Sequence, residues 1–369
     1  MRSTVLRYHA LMALLSLASV CGAARTKACT TFAIQQGIEM IFGKNYDWEI
    51  PDGLVVLNQR GVRRGGGMTL AAEGVGERPR ASWIARYGSV TFNQYGAGRP
   101  HGGMNERGLV VEVAWLKEAR YPAQRNTPAV GALEWIQYQL DRHASVEQLL
   151  AHLNELAIAS TVPVHFHCAD TTGANAVVEF LGGRAVTATG SEQPISVLTN
   201  STYQASLAYL MNCTGFGGER LPSTTSSLDR FARTATMVRD APTEGGQKNL
   251  VDYAFHTLDR VSQEGLTQWS IVYDQRLRRI YFRTALQRRT KRIDLARLSF
   301  ACASSTQAMD IHQKGQGEIS RRFRPLTVDA HRRLIDRALR ASPFLKEVTT
   351  EQIEDLARDY ATLPCDSGN

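Results

Sequence analysis

The stretch KACTTFAIQQGIEMIFGKNYDW, residues 27–48, decides the fold class of this chain. Residues 30–34 and 40–42 are rich in β-branched, aromatic and other apolar side chains, which favour strands. Gln35-Gln36-Gly37 lies between them and is typical of a hairpin turn. The stretch therefore predicts a β-hairpin that begins directly after Cys29.

Residues 1–28 have the pattern of a secretory signal. Arg2 and Arg7 supply positive charge, residues 10–20 are an apolar run, and Ala28 directly precedes Cys29. The run is too short to span a bilayer, so we expect cleavage rather than stable membrane insertion. The predicted location is outside the cytoplasm, either periplasmic or secreted. Signal peptidase and autoproteolysis both stay open as the route to a terminal Cys29.

The composition of the 369 residues indicates a soluble globular protein, with 43% hydrophobic and 21% charged residues. The formal net charge of +8 falls to +4 without residues 1–28, which hold four of the 43 bases and none of the 35 acids. The remaining bases crowd at 276–292 and 321–340, where they alternate with apolar residues. This pattern favours solvated faces over a nucleic-acid site.

Further strands and helices alternate irregularly along the chain. Strands are predicted at 54–57, 89–92, 109–113, 164–168, 176–180, 195–198, 270–273 and 280–283. Helices are predicted at 130–141, 146–157, 229–240, 250–261, 328–339 and 350–360. Without strict βαβ alternation, the order favours a layered α+β fold over a doubly wound sheet.

Five cysteines remain if Cys21 leaves with the signal, so at least one thiol is free. Up to two disulfides are expected in an oxidising compartment, with the pairing left open, among Cys168, Cys213, Cys302 and Cys365. His165 and His167 share one face of a predicted strand but have no nearby ligand cluster. They are expected to be packed or hydrogen-bonded histidines, and no metal site is predicted.

If Cys29 were the amino-terminal residue, it would supply both the nucleophilic thiol and the base that accepts its proton. Its α-amino group, with an ordinary pKa of about 7.7–8.0, can accept the thiol proton near neutral pH. Nucleophile and base then come from one residue, and no histidine is required. The hairpin returns Asp47 to the start of the first strand, where its carboxylate can orient the amine. Lys44 lies close enough in sequence to favour the thiolate.

Five motifs in order extend this pattern along the chain. They are Cys29-Thr30 with Phe-Gly-Lys-Asn-Tyr-Asp at 42–47, Gly-Met-Asn-Glu-Arg-Gly-Leu at 103–109, Val-Leu-Thr-Asn-Ser at 197–201, Asp-Arg-Phe at 229–231 and Thr-Gln-Trp-Ser at 267–270. Together they resemble the cholylglycine hydrolase family of N-terminal nucleophile hydrolases. That family contains bile salt hydrolases and penicillin V acylases, with acid ceramidase and N-acylethanolamine amidases as distant relatives.

The resemblance implies a fold and a division of roles. The fold would be a four-layer αββα sandwich of two antiparallel sheets flanked by helices. Residues 29–320 would form the catalytic domain, and 321–369 a helical extension packed on or flanking it. Asn200 would donate to the oxyanion, and Arg230 would steady the nucleophile. No metal or organic cofactor is implied.

Two positions depart from the family pattern. The family usually has arginine where this chain has Lys44, which keeps the charge but loses the planar fork. Trp115 aligns with the family's second oxyanion position, which is often asparagine or tyrosine, and function would survive there if the donor is the backbone N–H. A tryptophan there resembles the Gram-negative penicillin V acylase branch and implies an aromatic substrate-binding wall.

The predicted function is therefore an exported amidase that hydrolyses linear carbon–nitrogen amide bonds through a thioester. The expected partner is a small-molecule N-acyl amide, such as penicillin V or an N-acyl homoserine lactone. A bile salt hydrolase and an N-acylethanolamine or ceramide-type amidase remain alternatives. An acyltransferase and a non-catalytic secreted binding protein on the same fold also remain, and a homo-oligomer is left open.

Overall fold

The computed structural model describes residues 29–65, 80–123, 126–242, 249–303, 305–342, 348–361 and 363–365. The predicted signal, residues 1–28, lies outside them. The strands of the described part are β1 (Thr30–Gln36), β2 (Glu39–Asp47), β3 (Leu54–Asn58), β4 (Arg63–Gly65), β5 (Ser82–Ile84), β6 (Ser89–Asn93), β7 (Gly102–Asn105), β8 (Val110–Trp115), β9 (Ala129–Val130), β10 (Ala157–Ile158), β11 (Val164–Ala169), β12 (Asn175–Leu181), β13 (Arg184–Thr189), β14 (Val197–Leu198), β15 (Thr267–Asp274), β16 (Arg279–Thr284), β17 (Lys291–Asp294), β18 (Gln307–Asp310), β19 (Gly317–Glu318) and β20 (Arg324–Pro325).

The α-helices of the same residues are α1 (Ala132–Arg142), α2 (Val146–Ala151), α3 (Tyr203–Leu210), α4 (Ser227–Arg239), α5 (Leu250–Arg260), α6 (Val328–Ala341) and α7 (Thr350–Ala361). None of the described helices is long and apolar enough to cross a membrane.

Two large, mainly antiparallel sheets dominate the fold. The first has the strand order β14-β1-β2-β15-β16-β17-β19, and we call it the hairpin sheet because it contains the β1–β2 hairpin. The second has the order β13-β12-β11-β8-β7-β6-β3-β18-β20, and we call it the wide sheet. In the hairpin sheet β2 pairs with β1 on one side and β15 on the other, so the hairpin lies inside the sheet.

Three apolar cores lie between the four layers of the fold. Phe42, Tyr273 and Phe282 of the hairpin sheet pack with Val90 and Phe92 of the wide sheet in the core between the sheets. A second core joins the outer face of the wide sheet to α1 and α2, and a third joins the outer face of the hairpin sheet to α3, α4 and α5. The predicted order of helix, sheet, sheet and helix layers is therefore present.

The hairpin itself differs from its prediction at both ends. Its register runs from Thr30 opposite Asn45 to Gln36 opposite Glu39, so the turn lies at 37–38 rather than 35–37. Gly37 has φ +55°, a left-handed conformation that glycine adopts without steric cost. The strand β2 also continues to Asp47, five residues beyond the prediction, because its polar side chains are buried by partners from other elements.

Among the single elements, the predicted end of one helix was wrong and another helix was not predicted. The helix α2 ends at Ala151 rather than 157, because Ala157–Ile158 pairs in parallel with Ala129–Val130. The sequence pattern also gave no prediction of α3, which begins at the N-cap Thr202, whose hydroxyl accepts the N–H of Ala205.

The C-terminal helices α6 and α7 pack as a pair against the preceding part of the chain. Residues of α6 and α7, including Ile335, Leu339 and Leu356, form one cluster with Tyr95, which lies after β6. The strand β20 pairs with β18 of the wide sheet, so the chain beyond residue 320 also adds a strand. The division of the chain at residue 320 stays a prediction.

One disulfide joins the C-terminal segment to the rest of the protein. Cys302 and Cys365 are bonded, which settles the pairing that the sequence left open, while Cys168 and Cys213 are free and buried. The bond closes a segment with a sequence separation of 63 and spans α6 and α7.

Replacing both Cys302 and Cys365 with serine is expected to destabilise the protein by roughly 4 kcal/mol, from the chain entropy of a loop of this length. The measurement is urea unfolding of the double variant and the parent under non-reducing conditions. The matched control is Cys213→Ser, which changes a free cysteine, compared with the parent under the same non-reducing conditions. Equal stability of parent and double variant would contradict a structural role for the bond.

Candidate active site

Cys29 lies directly before β1, and the β1–β2 hairpin places it next to the end of β2. Cys29 is buried, with 6% of its surface exposed, and it belongs to the core between the two sheets. The charge of Asp47 raises the pKa of the Cys29 thiol, and the Asp47 main chain lowers it, as expected of a residue close to the thiol. The predicted neighbourhood of Cys29 and Asp47 is therefore present in the structure.

Arg230 connects Cys29 to Asn200, the predicted oxyanion donor. It lies in the first turn of α4, is fully buried, and donates to the carbonyl oxygen of Cys29 at 2.7 Å and to Oγ1 of Thr30 at 2.6 Å. Its other terminal nitrogen donates to Oδ1 of Asn200 at 2.9 Å, and Nε donates to the Thr225 carbonyl at 3.1 Å. Burial lowers the pKa of Arg230, while Asp47 opposes that effect, so the guanidinium remains a fixed cation.

Asn200 is held on three sides, directly after β14. Its N–H donates to Oγ of Ser227 at 2.9 Å, and its side-chain oxygen accepts from Arg230. Its Nδ2 donates to the carbonyl oxygen of Trp115 in the wide sheet, also at 2.9 Å. An asparagine amide has two N–H donors, so one N–H remains besides the one that binds Trp115.

Asp47 has both carboxylate oxygens held by the start of β15 and the turn before it. Thr267 donates to Oδ1 at 2.5 Å, and the amide of Gln263 donates to Oδ2 at 2.8 Å. Burial raises the pKa of Asp47, and the charge of Arg230 acts in the opposite direction. Two donors and a nearby cation thus fix the orientation of a fully buried carboxylate.

Lys44 points into the core between the sheets and meets a residue that the sequence motifs do not include. Its Nζ donates to the carbonyl oxygen of Val113 and lies 3.3 Å from Oε2 of Glu112. The hydroxyl of Tyr273 donates to Oε1 of Glu112 at 2.5 Å. A lone acid inside the apolar strand β8 was the signal that could have identified Glu112.

The electrostatics at Cys29 favour a thiol that needs a base. Burial raises the pKa of Cys29, and the charge of Asp47 adds to this effect. Lys44, Arg230 and the Asp47 main chain lower that pKa but do not cancel the burial effect. A proton acceptor at the thiol is therefore required for attack near neutral pH.

Several aromatic side chains pack in the same core as Cys29. Trp115 is half-buried and packs against the core that contains Cys29, with its ring centroid 6.3 Å from that of Trp48. Tyr46 stacks on Trp269 at 4.3 Å and lies 6.5 Å from Trp48. The structure thus places Trp115 in an aromatic wall, as the sequence suggested, while its contact with substrate stays a prediction.

The two strand histidines are hydrogen-bonded within the fold, as expected. His165 contacts the Glu179 carboxylate at 2.9 Å and the carbonyl oxygen of Thr199 at 2.8 Å. His167 contacts the hydroxyls of Thr31 at 2.9 Å and Ser196 at 3.2 Å. No group of three or more metal-ligating side chains occurs among the residues that the structure describes.

Comparisons with protein families and with known proteins identify relatives of one kind. A model of the choloylglycine hydrolase family of linear amide C–N hydrolases matches residues 29–308. A penicillin V acylase from Pectobacterium atrosepticum is 25% identical over 336 residues, covering 78% of this chain and 86% of that protein.

Solved structures agree with this match. Penicillin V acylase from Agrobacterium tumefaciens superposes with a TM-score of 0.70 at 26% identity, covering 81% of this chain and 98% of that one. A mutant of the conjugated bile acid hydrolase from Clostridium perfringens superposes with a TM-score of 0.63 at 18% identity, covering 79% and 98%. The second likeness concerns the fold alone, and together they confirm the predicted N-terminal nucleophile hydrolase sandwich.

Proposed function

The chain belongs to the choloylglycine hydrolase family of linear amide C–N hydrolases, and on this premise we propose that it is an exported N-acyl amidase with Cys29 as nucleophile. The observation that carries the proposal is the continuous hydrogen-bonded connection from the Cys29 main chain through Arg230 to the Asn200 amide. It joins the proposed nucleophile to the proposed oxyanion donor across two elements that are distant in sequence.

The reaction begins with transfer of the thiol proton of Cys29 to its own α-amino group, which cleavage after Ala28 creates. The thiolate attacks the substrate carbonyl, and the second N–H of Asn200 stabilises the oxyanion. The ammonium then protonates the leaving nitrogen, the C–N bond breaks, and a thioester remains. Water attacks the thioester with the α-amino group as base, which releases the carboxylic acid and restores the thiol. Asp47 keeps the amine oriented throughout.

An aromatic or fatty acyl group is the proposed substrate element, with the phenoxyacetyl group of penicillin V as the reference. Two relatives that cover most of the chain are penicillin V acylases. The aromatic row of Trp115, Trp48 and Tyr46 beside Cys29 supports an apolar acyl group. The Cys302–Cys365 disulfide supports export, because such bonds persist mainly outside the cytosol.

The test combines sequencing of the amino terminus with measurement of the substrate range. The full chain is expressed in an export-competent host, and the purified protein is sequenced from its amino terminus. We expect Cys29 as residue one, and release of free acid and amine from penicillin V or N-acyl homoserine lactones in preference to glycocholate or N-acylethanolamines. The matched control is a chain that retains Ala28, which should be inactive. Full activity in that control would contradict the mechanism. An acyl product formed on an added amine acceptor, with little free acid released whether or not that acceptor is present, would indicate an acyltransferase.

A further inference from the structure

Glu112 is a buried acidic residue between the two sheets, and the neighbouring strand leaves room for its side chain. Its exposed fraction is 1%, its Oε2 lies 3.3 Å from Nζ of Lys44, and its Oε1 accepts the Tyr273 hydroxyl at 2.5 Å. On the neighbouring strand Gly102 lies directly opposite, and a β-carbon there would collide with the Glu112 carboxylate. The absence of a side chain on Gly102 therefore makes room for the acid.

The buried charges around Cys29 balance only when Glu112 is included. Lys44 and Arg230 provide two cations, while Asp47 and Glu112 provide two carboxylates. Without Glu112 the cluster would carry one excess positive charge beside the thiol. A buried charge without a partner is strongly unfavourable, so the pairing has a physical reason.

The other titratable side chains that face this cluster do not alter the balance of side-chain charges. Burial, with the charge of Lys44 adding to it, lowers the pKa of His101 to about 3. Burial, His165 and Lys44 together lower the pKa of His167 to about 3 as well. Burial raises the pKa of Tyr46 and of Tyr273 well above the usual range. All four side chains are uncharged near neutral pH.

We infer that Glu112 is a positioning residue for the reaction, which holds Lys44 and sets how much of the lysine charge reaches the Cys29 thiol. A lysine is a compact charge on a flexible stem, so it needs external anchors to keep its direction. The Glu112 carboxylate and the Val113 carbonyl supply those anchors. The inference rests on the proposed function, in which Cys29 is the nucleophile.

The test is the pH dependence of Cys29 alkylation by iodoacetamide, read by peptide mass spectrometry. Glu112→Gln removes a negative charge and leaves Lys44 uncompensated, which stabilises the thiolate. The alkylation midpoint is expected to fall by about one pH unit. Glu112→Asp keeps the charge and should restore a midpoint near that of the parent. Tyr273→Phe removes the other hydrogen bond of Glu112 without changing charge, and it is the matched control for packing.

A double-mutant cycle separates an action through Lys44 from a direct one. In a Lys44→Met background, Glu112→Gln should shift the midpoint much less than in the parent. A Glu112→Gln midpoint equal to the parent, or the same shift in both backgrounds, overturns the inference. If Glu112→Gln fails to fold, the comparison of Glu112→Asp with Lys44→Met replaces it, and equal midpoints in those two variants overturn the inference. Alkylation does not require amide hydrolysis, so a parent without amidase activity would refute the proposed function alone.

Discussion

Cys29→Ala is expected to abolish amide hydrolysis, with kcat falling on the order of 10⁴-fold or more, as when the nucleophile of a catalytic unit is removed. The side chain is small and lies directly before β1, so the fold should survive the change. Cys29→Ser tests the chemistry more sharply. A hydroxyl of similar size remains in place but is a far weaker acid than a thiol, so the loss should remain large.

The controls for this experiment come from the same chain. Cys213→Ala removes a free cysteine that lies after α3, away from Cys29, and it should retain parental kcat. Activity is measured as acid released from penicillin V, or from the best substrate of the panel, with thermal unfolding recorded for each variant. Substantial hydrolysis by a correctly folded Cys29→Ala protein would exclude Cys29 as nucleophile. An intact Cys29→Ala fold also allows substrate binding to be measured without turnover.

The β1–β2 hairpin shows which parts of the fold the sequence pattern can predict. Alternating and apolar residues identified β1 and the start of β2, because these side chains face packed cores on both sides of the sheet. The end of β2 did not follow from the pattern. Lys44 and Asp47 are polar, and only partners from β8 and β15 make their burial acceptable. The residues next to Lys44 and Asp47 in the sequence do not indicate those partners.

The candidate site shows the same limit at longer range. Arg230 reaches Cys29 across 201 residues and Asn200 across 30, so no local periodicity could join them. The five motifs, in their order along the chain, identified both residues. They did so because the family resemblance assigns roles to positions that the fold brings together. Glu112 is outside those motifs, and its lysine partner on β2 became visible only in three dimensions.

Asn200→Ala is expected to lower kcat by about 10²–10³-fold, the usual effect of losing one oxyanion donor, or about 3–4 kcal/mol of transition-state stabilisation. KM should change much less, because the oxyanion forms only after substrate has bound. The change also removes the acceptor of Arg230 and the donor to Trp115, so part of the loss could come from a displaced guanidinium.

Asn200→Asp separates these two contributions. An aspartate keeps an oxygen for Arg230 but has no N–H, and it places negative charge where the oxyanion would develop. If Asn200 acts as the oxyanion donor, Asn200→Asp should be at least as impaired in kcat as Asn200→Ala, although its contact with Arg230 is retained. If Asn200 serves only to hold Arg230, the aspartate should recover most of the activity. Steady-state kinetics of the two variants, with Cys29 alkylation as a check on the nucleophile, therefore decides between catalysis and support at this position.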